Sequence, residues 1–151
     1  MDADVARGRL AGENKFDTAE LDEIWAALPV VRPVEMLGLW RGAELITGHR
    51  FEGTLGRVGW YGKRFTSLTE VAPIVCRGAD GRLYDNVELA KGGASLWSVE
   101  FRGESTATMV YDGQPVFDHF KWAGADTLLG VMNGKGVRDQ GRHYWFRLER
   151  D

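Results

Sequence analysis

A chain of 151 residues with 44% hydrophobic and 27% charged residues has the size and composition of one globular domain, not of a disordered segment. The formal net charge of -3 gives no electrostatic case for wrapping nucleic acid or holding an anionic membrane, and no run reaches the roughly 20 apolar residues of a membrane helix. The first residues lack the apolar run of a secretory signal, and Cys76 is the one cysteine, so a disulfide framework and a thiolate metal cluster are excluded and a cytoplasmic location is expected.

Residues 1–15 are polar and aperiodic and read as a flexible arm. A helix is expected next. Asp17 is placed as its N-cap with Glu20 three positions on, and Phe16 and Leu21 occupy the two positions of a hydrophobic staple. Leu21, Ile24, Trp25 and Leu28 recur at helical spacing as one apolar stripe, and Pro29 ends the run. Met36 to Ile46 reads as a strand interrupted by Gly38 and Gly42, followed by a turn at Thr47-Gly48-His49. Phe51 to Val58 fits either a short helix or a bent strand.

Gly59 to Phe65 is aromatic and basic. Ala72–Cys76 and Arg82–Tyr84 flank a Gly-Ala-Asp-Gly turn and read as a hairpin, with Cys76 a buried small hydrophobe. Leu96 to Arg102 alternates, with Trp97, Val99 and Phe101 expected on the buried side. Strands are then expected at Ser105–Tyr111, Pro115–Trp122, Thr127–Met132 and His143–Leu148, the last burying Tyr144, Phe146 and Leu148. The expected fold is mainly β: an antiparallel up-and-down barrel with an N-terminal helix, residues 16–151 forming a single β-barrel domain.

Gly38-Leu39-Trp40-Arg41-Gly42 is a G-x-W-x-G motif in the first strand, extended by Thr47-Gly48-His49 and by Trp60 to Phe65. The combination resembles the bacterial GXWXG family, over about 18–80. Tyr111 to Pro115, Asp118-His119-Phe120 and Leu128 to Met132 resemble the domain of unknown function that accompanies it, over about 81–151. More broadly, a Gly-x-Trp on the first strand with a basic residue on the last is similar to calycin-type barrels, the lipocalins and fatty-acid-binding proteins. The resemblance implies that Trp40 packs against Arg147 or Arg150 to close one end.

The densest aromatic and basic patch, Trp60-Tyr61-Gly62-Lys63-Arg64-Phe65, has two readings of equal weight: a ligand site in which Lys63 or Arg64 meets a carboxylate or phosphate head group while Trp60 and Phe65 contact its apolar body, with Tyr61 a further ligand-binding candidate, or a cation–π stack on the outer surface. Strand alternation lets only one of the two cations face inward. His49 and His119 are candidate polar helpers. The plainer alternatives are a turn side chain bonded to local backbone for His49 and a satisfied polar residue of the sheet for His119. Asp118 and His119 are neighbours on a strand and point to opposite faces. His143 reads as surface. No histidine pair has metal spacing, so neither a metal nor a cofactor is expected.

The leading expectation is a carrier or sensor for a small apolar ligand such as a fatty acid or lipid. The runner-up is a cofactor-free enzyme on a small aromatic or lipid-like substrate, with His119, Asp118, Tyr61 and Lys63 as acid–base groups. Haem binding through a histidine comes third.

Overall fold

The computed structural model describes all 151 residues. Nine strands form: β1 (Gly38–Glu44), β2 (Trp60–Phe65), β3 (Val71–Arg77), β4 (Leu83–Asp85), β5 (Ala94–Phe101), β6 (Glu104–Tyr111), β7 (Val116–Trp122), β8 (Thr127–Gly134) and β9 (Tyr144–Arg150). Four helices accompany them: α1 (Ala3–Ala11), α2 (Thr18–Ala27), α3 (Thr54–Arg57) and α4 (Val87–Ala90). Every strand pairing is antiparallel. Around the ring the order is β1, β2, β3, β5, β6, β7, β8, β9, and β9 pairs back onto β1, so eight strands close a barrel. β4 hangs on β3 alone. The seam between β3 and β5 is thin, one pair at Val71 and Ala94, and α4 packs beside it.

Alternation along the strands separates two cores. The barrel interior holds Trp40, Phe65, Leu96, Met109, Phe120, Leu128, Phe146 and Leu148. Outside, α1 and α2 lay Leu10, Leu21, Ile24 and Trp25 over Leu129, Val131 and Trp145. β8 and β9 are therefore buried on both faces, which is why Tyr144-Trp145-Phe146 is apolar without a break. The Asp17 carboxylate accepts the Ala19 N–H at the start of α2, and the whole expected stripe is buried. Lys121, fully buried on the outer face of β7, donates to the Trp25 carbonyl at 2.9 Å and completes the last turn of α2.

Residues 3–11, expected as a loose arm, are helical. Asp2 caps Val5, and Ala6 and Leu10, one turn apart, dock on the barrel. Arg147 reaches out from β9 to bond the carbonyls of Leu10 and Glu13. Those tertiary bonds, not local periodicity, hold this helix. The face expected for β5 is also reversed. Ala94 and Leu96 point into the barrel, whereas Trp97 is 55% exposed on the outside. Phe101 is half-buried because α2 covers that end of β5, with Trp25 edge-on to it at 5.8 Å. Simple alternation does not say which parity faces in, and here the register with β6 decides it.

One end of the barrel is shut by Trp40. Its indole N–H donates to the Met36 carbonyl at 2.8 Å, and the Arg150 guanidinium sits 4.2 Å from the ring centroid. Arg150 also donates to the Leu37 and Glu35 carbonyls, each at 3.0 Å. Of the two arginines implied by the resemblance, Arg150 is the one that closes the barrel.

Phe146 lies between Phe120 and Trp60 in the interior. Phe146→Ala is expected to cost about 3–5 kcal/mol in urea unfolding, the range for a buried aromatic. Trp97→Ser is expected to stay within about 0.5 kcal/mol, as for an exposed side chain. The reverse order would misassign the faces of β5 and β9.

Candidate functional site

The opposite end of the barrel contains a cavity of about 300 Å³. Trp60, Tyr111, Tyr144 and Phe146 form aromatic walls, with Ile74 and Met132 beside them. Phe51, Thr54 and Leu55 cover the mouth from the β1–β2 connection, and Leu89 and Gln114 cover it from the side of α4 and the β6–β7 turn. Only two charged side chains line this space, Lys63 and Asp118.

A backbone irregularity brings Lys63 there. The pairing of β2 with β3 shifts register between Trp60 and Gly62 and again between Gly62 and Arg64. This bulge lets Trp60 and Lys63, three residues apart, both face the interior. Normal alternation resumes afterwards: Arg64 points out and pairs with Asp85, and Phe65 points in. Of the two candidate cations, Lys63 is the interior one. Two glycines make room. A Cβ on Gly62 would collide with the Trp40 carbonyl oxygen, and a Cβ on Gly42 would collide with the Trp60 indole that lies across it.

Lys63 and Asp118 are 4% and 2% exposed, and Lys63 Nζ is 3.3 Å from Asp118 Oδ2. The ammonium also donates to the Pro73 carbonyl at 2.9 Å. It sits among the rings of Phe146, Tyr111 and Trp60, with centroids 5.2, 5.8 and 5.9 Å away. Asp118 Oδ1 is buried and has no hydrogen-bond partner. Burial lowers the pKa of Lys63 and raises that of Asp118, and the charge of each partner opposes the shift. Burial, reinforced by Asp118, also holds the Tyr111 phenol well above its usual range.

The mouth is braced. Glu52 accepts the N–H groups of Thr47, Gly48 and His49 at 3.0, 3.0 and 2.8 Å. Glu44 accepts the Tyr144 hydroxyl and the Gly53 N–H. His49 accepts the Phe51 N–H at Nδ1, so its Nε2 carries the hydrogen that goes to the Val137 carbonyl at 2.8 Å. Both ring nitrogens are engaged, and His49 is a strut beneath the covering loop.

His119 lies on the other side of the sheet from Asp118. Its ring stacks on Phe101 at 4.1 Å and is fully buried. The Thr108 hydroxyl donates to the Thr106 carbonyl, so its oxygen accepts from His119 Nδ1 at 2.9 Å. Asn133 donates its amide to Nε2 at 3.1 Å while its own oxygen accepts the Gly134 N–H. The ring is therefore neutral and fully satisfied. Burial, with nearby His143 and Arg102, lowers its pKa to about 4. His143, expected at the surface, is buried and bonded to the Met132 carbonyl at 2.8 Å.

Of the sequence candidates, the fold brings together Trp60, Lys63 and Asp118 in the cavity, with His49 under its cover. Tyr61 is outside, bonded to the Asp151 carboxylate, and Arg64 is outside on Asp85. Phe65 lies deeper in the core, edge-on to Phe120. The sequence pattern does not mark Tyr111, Met132 or Tyr144 as cavity residues, although Tyr144 shares strand parity with Phe146. Phe51 and Leu55 lay in the segment whose periodicity left helix and strand open.

The molecule is thus a calycin-like closed barrel with an internal cavity, an architecture compatible with a binding protein. It belongs to the GXWXG family: the family described as GXWXG protein matches residues 23–81, and the domain of unknown function DUF4334 matches residues 92–150. A crystal structure of a protein from Thermomonospora curvata superposes with a TM-score of 0.88 at 37% identity, covering 97% of this chain and 98% of that one. No curated protein matches the chain.

The neutral burial of His119 predicts a pH effect. Its folded pKa lies below the unfolded value of about 6.5, so the unfolded chain binds the extra proton first. Its contribution is whole above pH 6.5 and is lost as pH falls toward 4. The urea midpoint should drop over that interval, and His119→Gln should flatten the drop. An equally steep profile in the variant would refute this origin.

Proposed function

We propose that this protein binds a small, largely apolar molecule inside the barrel, as a carrier or sensor in the cytoplasm. The observation that carries this reading is the cavity: nine of its 13 lining residues are hydrophobic, and its one charged pair lies within it. A volume of 300 Å³ stands at the lower end of the range for small-molecule sites. It equals the share of about ten waters at roughly 30 Å³ each, so a closely packed ligand has about ten to fifteen non-hydrogen atoms. Short-chain or two-ring compounds fit; a long fatty acyl chain has to emerge past Phe51 and Leu55. Lys63 is the interior cation expected for a head group, and Asp118 already meets its charge.

The test is titration with 1-aminonaphthalene, a neutral two-ring fluorophore that fits this volume. A saturable one-to-one blue shift of its emission is expected, reversed by displacing compounds of similar size. The double variant Leu55→Trp/Met132→Trp, which fills the cavity, should stay folded and weaken binding by roughly tenfold or more. Unaltered binding by the filled variant would place the ligand elsewhere and end this reading.

A second reading, proton transfer on a substrate in the same cavity, is favoured by one observation. Asp118 and Lys63, two of the four candidate acid–base residues, line the cavity with both pKa values displaced by burial. His119 and Tyr61 take no part in it. Turnover of a bound compound, abolished by Asp118→Asn, would move the weight to this reading.

A further inference from the structure

Resting on the binding reading above, we infer that the polar end of the ligand is an uncharged hydroxyl, a phenol or an aryl alcohol, held between Asp118 Oδ1 and the Lys63 ammonium. Three observations meet at this point. Asp118 lines the cavity, is almost fully buried, and leaves Oδ1 with no hydrogen-bond partner while Oδ2 faces Lys63. A buried acceptor without a donor is costly, so a ligand that brings an O–H there is rewarded. Lys63 has three N–H donors; one goes to the Pro73 carbonyl and one is directed to Asp118 Oδ2, so one remains for a ligand oxygen. A hydroxyl donates and accepts at once and satisfies both vacant positions.

Charge excludes the obvious alternative. The pair is neutral as a unit, and both partners are removed from water. A carboxylate brings no hydrogen for Oδ1 and adds a second negative charge beside Asp118 that no interior cation balances. The walls choose between aliphatic and aromatic bodies. Trp60, Tyr111, Tyr144 and Phe146 present ring faces and edges to the space, which suits an aromatic ligand in edge-to-face contact.

The experiment compares three compounds of nearly equal size by displacement of 1-aminonaphthalene: naphthalene, 1-naphthol and 1-naphthoate. Wild type is expected to bind 1-naphthol roughly tenfold or more tighter than naphthalene and to reject 1-naphthoate. Asp118→Asn leaves Lys63 without its counter-charge, so the order should invert, with 1-naphthoate gaining and 1-naphthol losing its advantage. Should that variant fail to fold, Lys63→Met/Asp118→Leu replaces the pair by apolar groups. It should keep naphthalene binding and bind 1-naphthol no better. If naphthalene binds while 1-naphthol is no tighter, or 1-naphthoate binds best to wild type, the head-group inference is wrong and the cavity reading stands. If the probe binds and none of the three displaces it, the inference fails. If the probe itself does not bind, the cavity reading falls with it.

Discussion

The close approach of β1 and β2 at Gly62 is the constraint on which the rest depends. The Trp40 carbonyl lies where a side chain at position 62 would stand, so only glycine lets the two strands meet. β2 pairs with β1 on one side and β3 on the other, and without both pairings the sheet keeps two free edges. The same irregularity turns Trp60 inward over Gly42 and then turns Lys63 inward toward Asp118. Closure of the barrel and construction of the cavity are thus one event in the backbone.

The buried pair at the cavity is not explained by stability. Desolvating an ammonium and a carboxylate costs several kcal/mol per ion, and their attraction repays this only with good geometry and further hydrogen bonds. Here the geometry is incomplete, because one carboxylate oxygen has no donor. The contrast with His119, one residue away, is direct. On the outer face every polar atom of the histidine is matched by Thr108 and Asn133. Along two adjacent residues the chain spends one polar side chain on structure and leaves the other unfinished.

The two ends of the barrel are built by different means. At the closed end, Arg150 stacks on Trp40 and ties down the chain that leads into β1, and the interior beyond is filled by edge-to-face rings of Phe65, Phe120 and Phe146. At the open end, the interior is roofed by a loop with no core of its own. Carboxylates of Glu44 and Glu52 and the ring of His49 hold that loop by its backbone N–H groups and by the Val137 carbonyl. Packing makes one end rigid, and hydrogen bonds to backbone position the other.

By itself the sequence determined the strand order, the turns, helix α2 and the buried face of β9, because each rests on local periodicity, capping or glycine placement. It also separated Asp118 from His119, since a strand sends neighbours to opposite faces. Tertiary structure decided what those patterns leave open. Helix α1 exists because the barrel supplies Arg147 and an apolar surface beneath Ala6 and Leu10. The face of β5 was set by pairing with β6, which alternation within one strand cannot report. The choice of Lys63 over Arg64 came from the bulge at Gly62, and its partner Asp118 lies 55 residues further along the chain, a contact that only closure of the sheet can make.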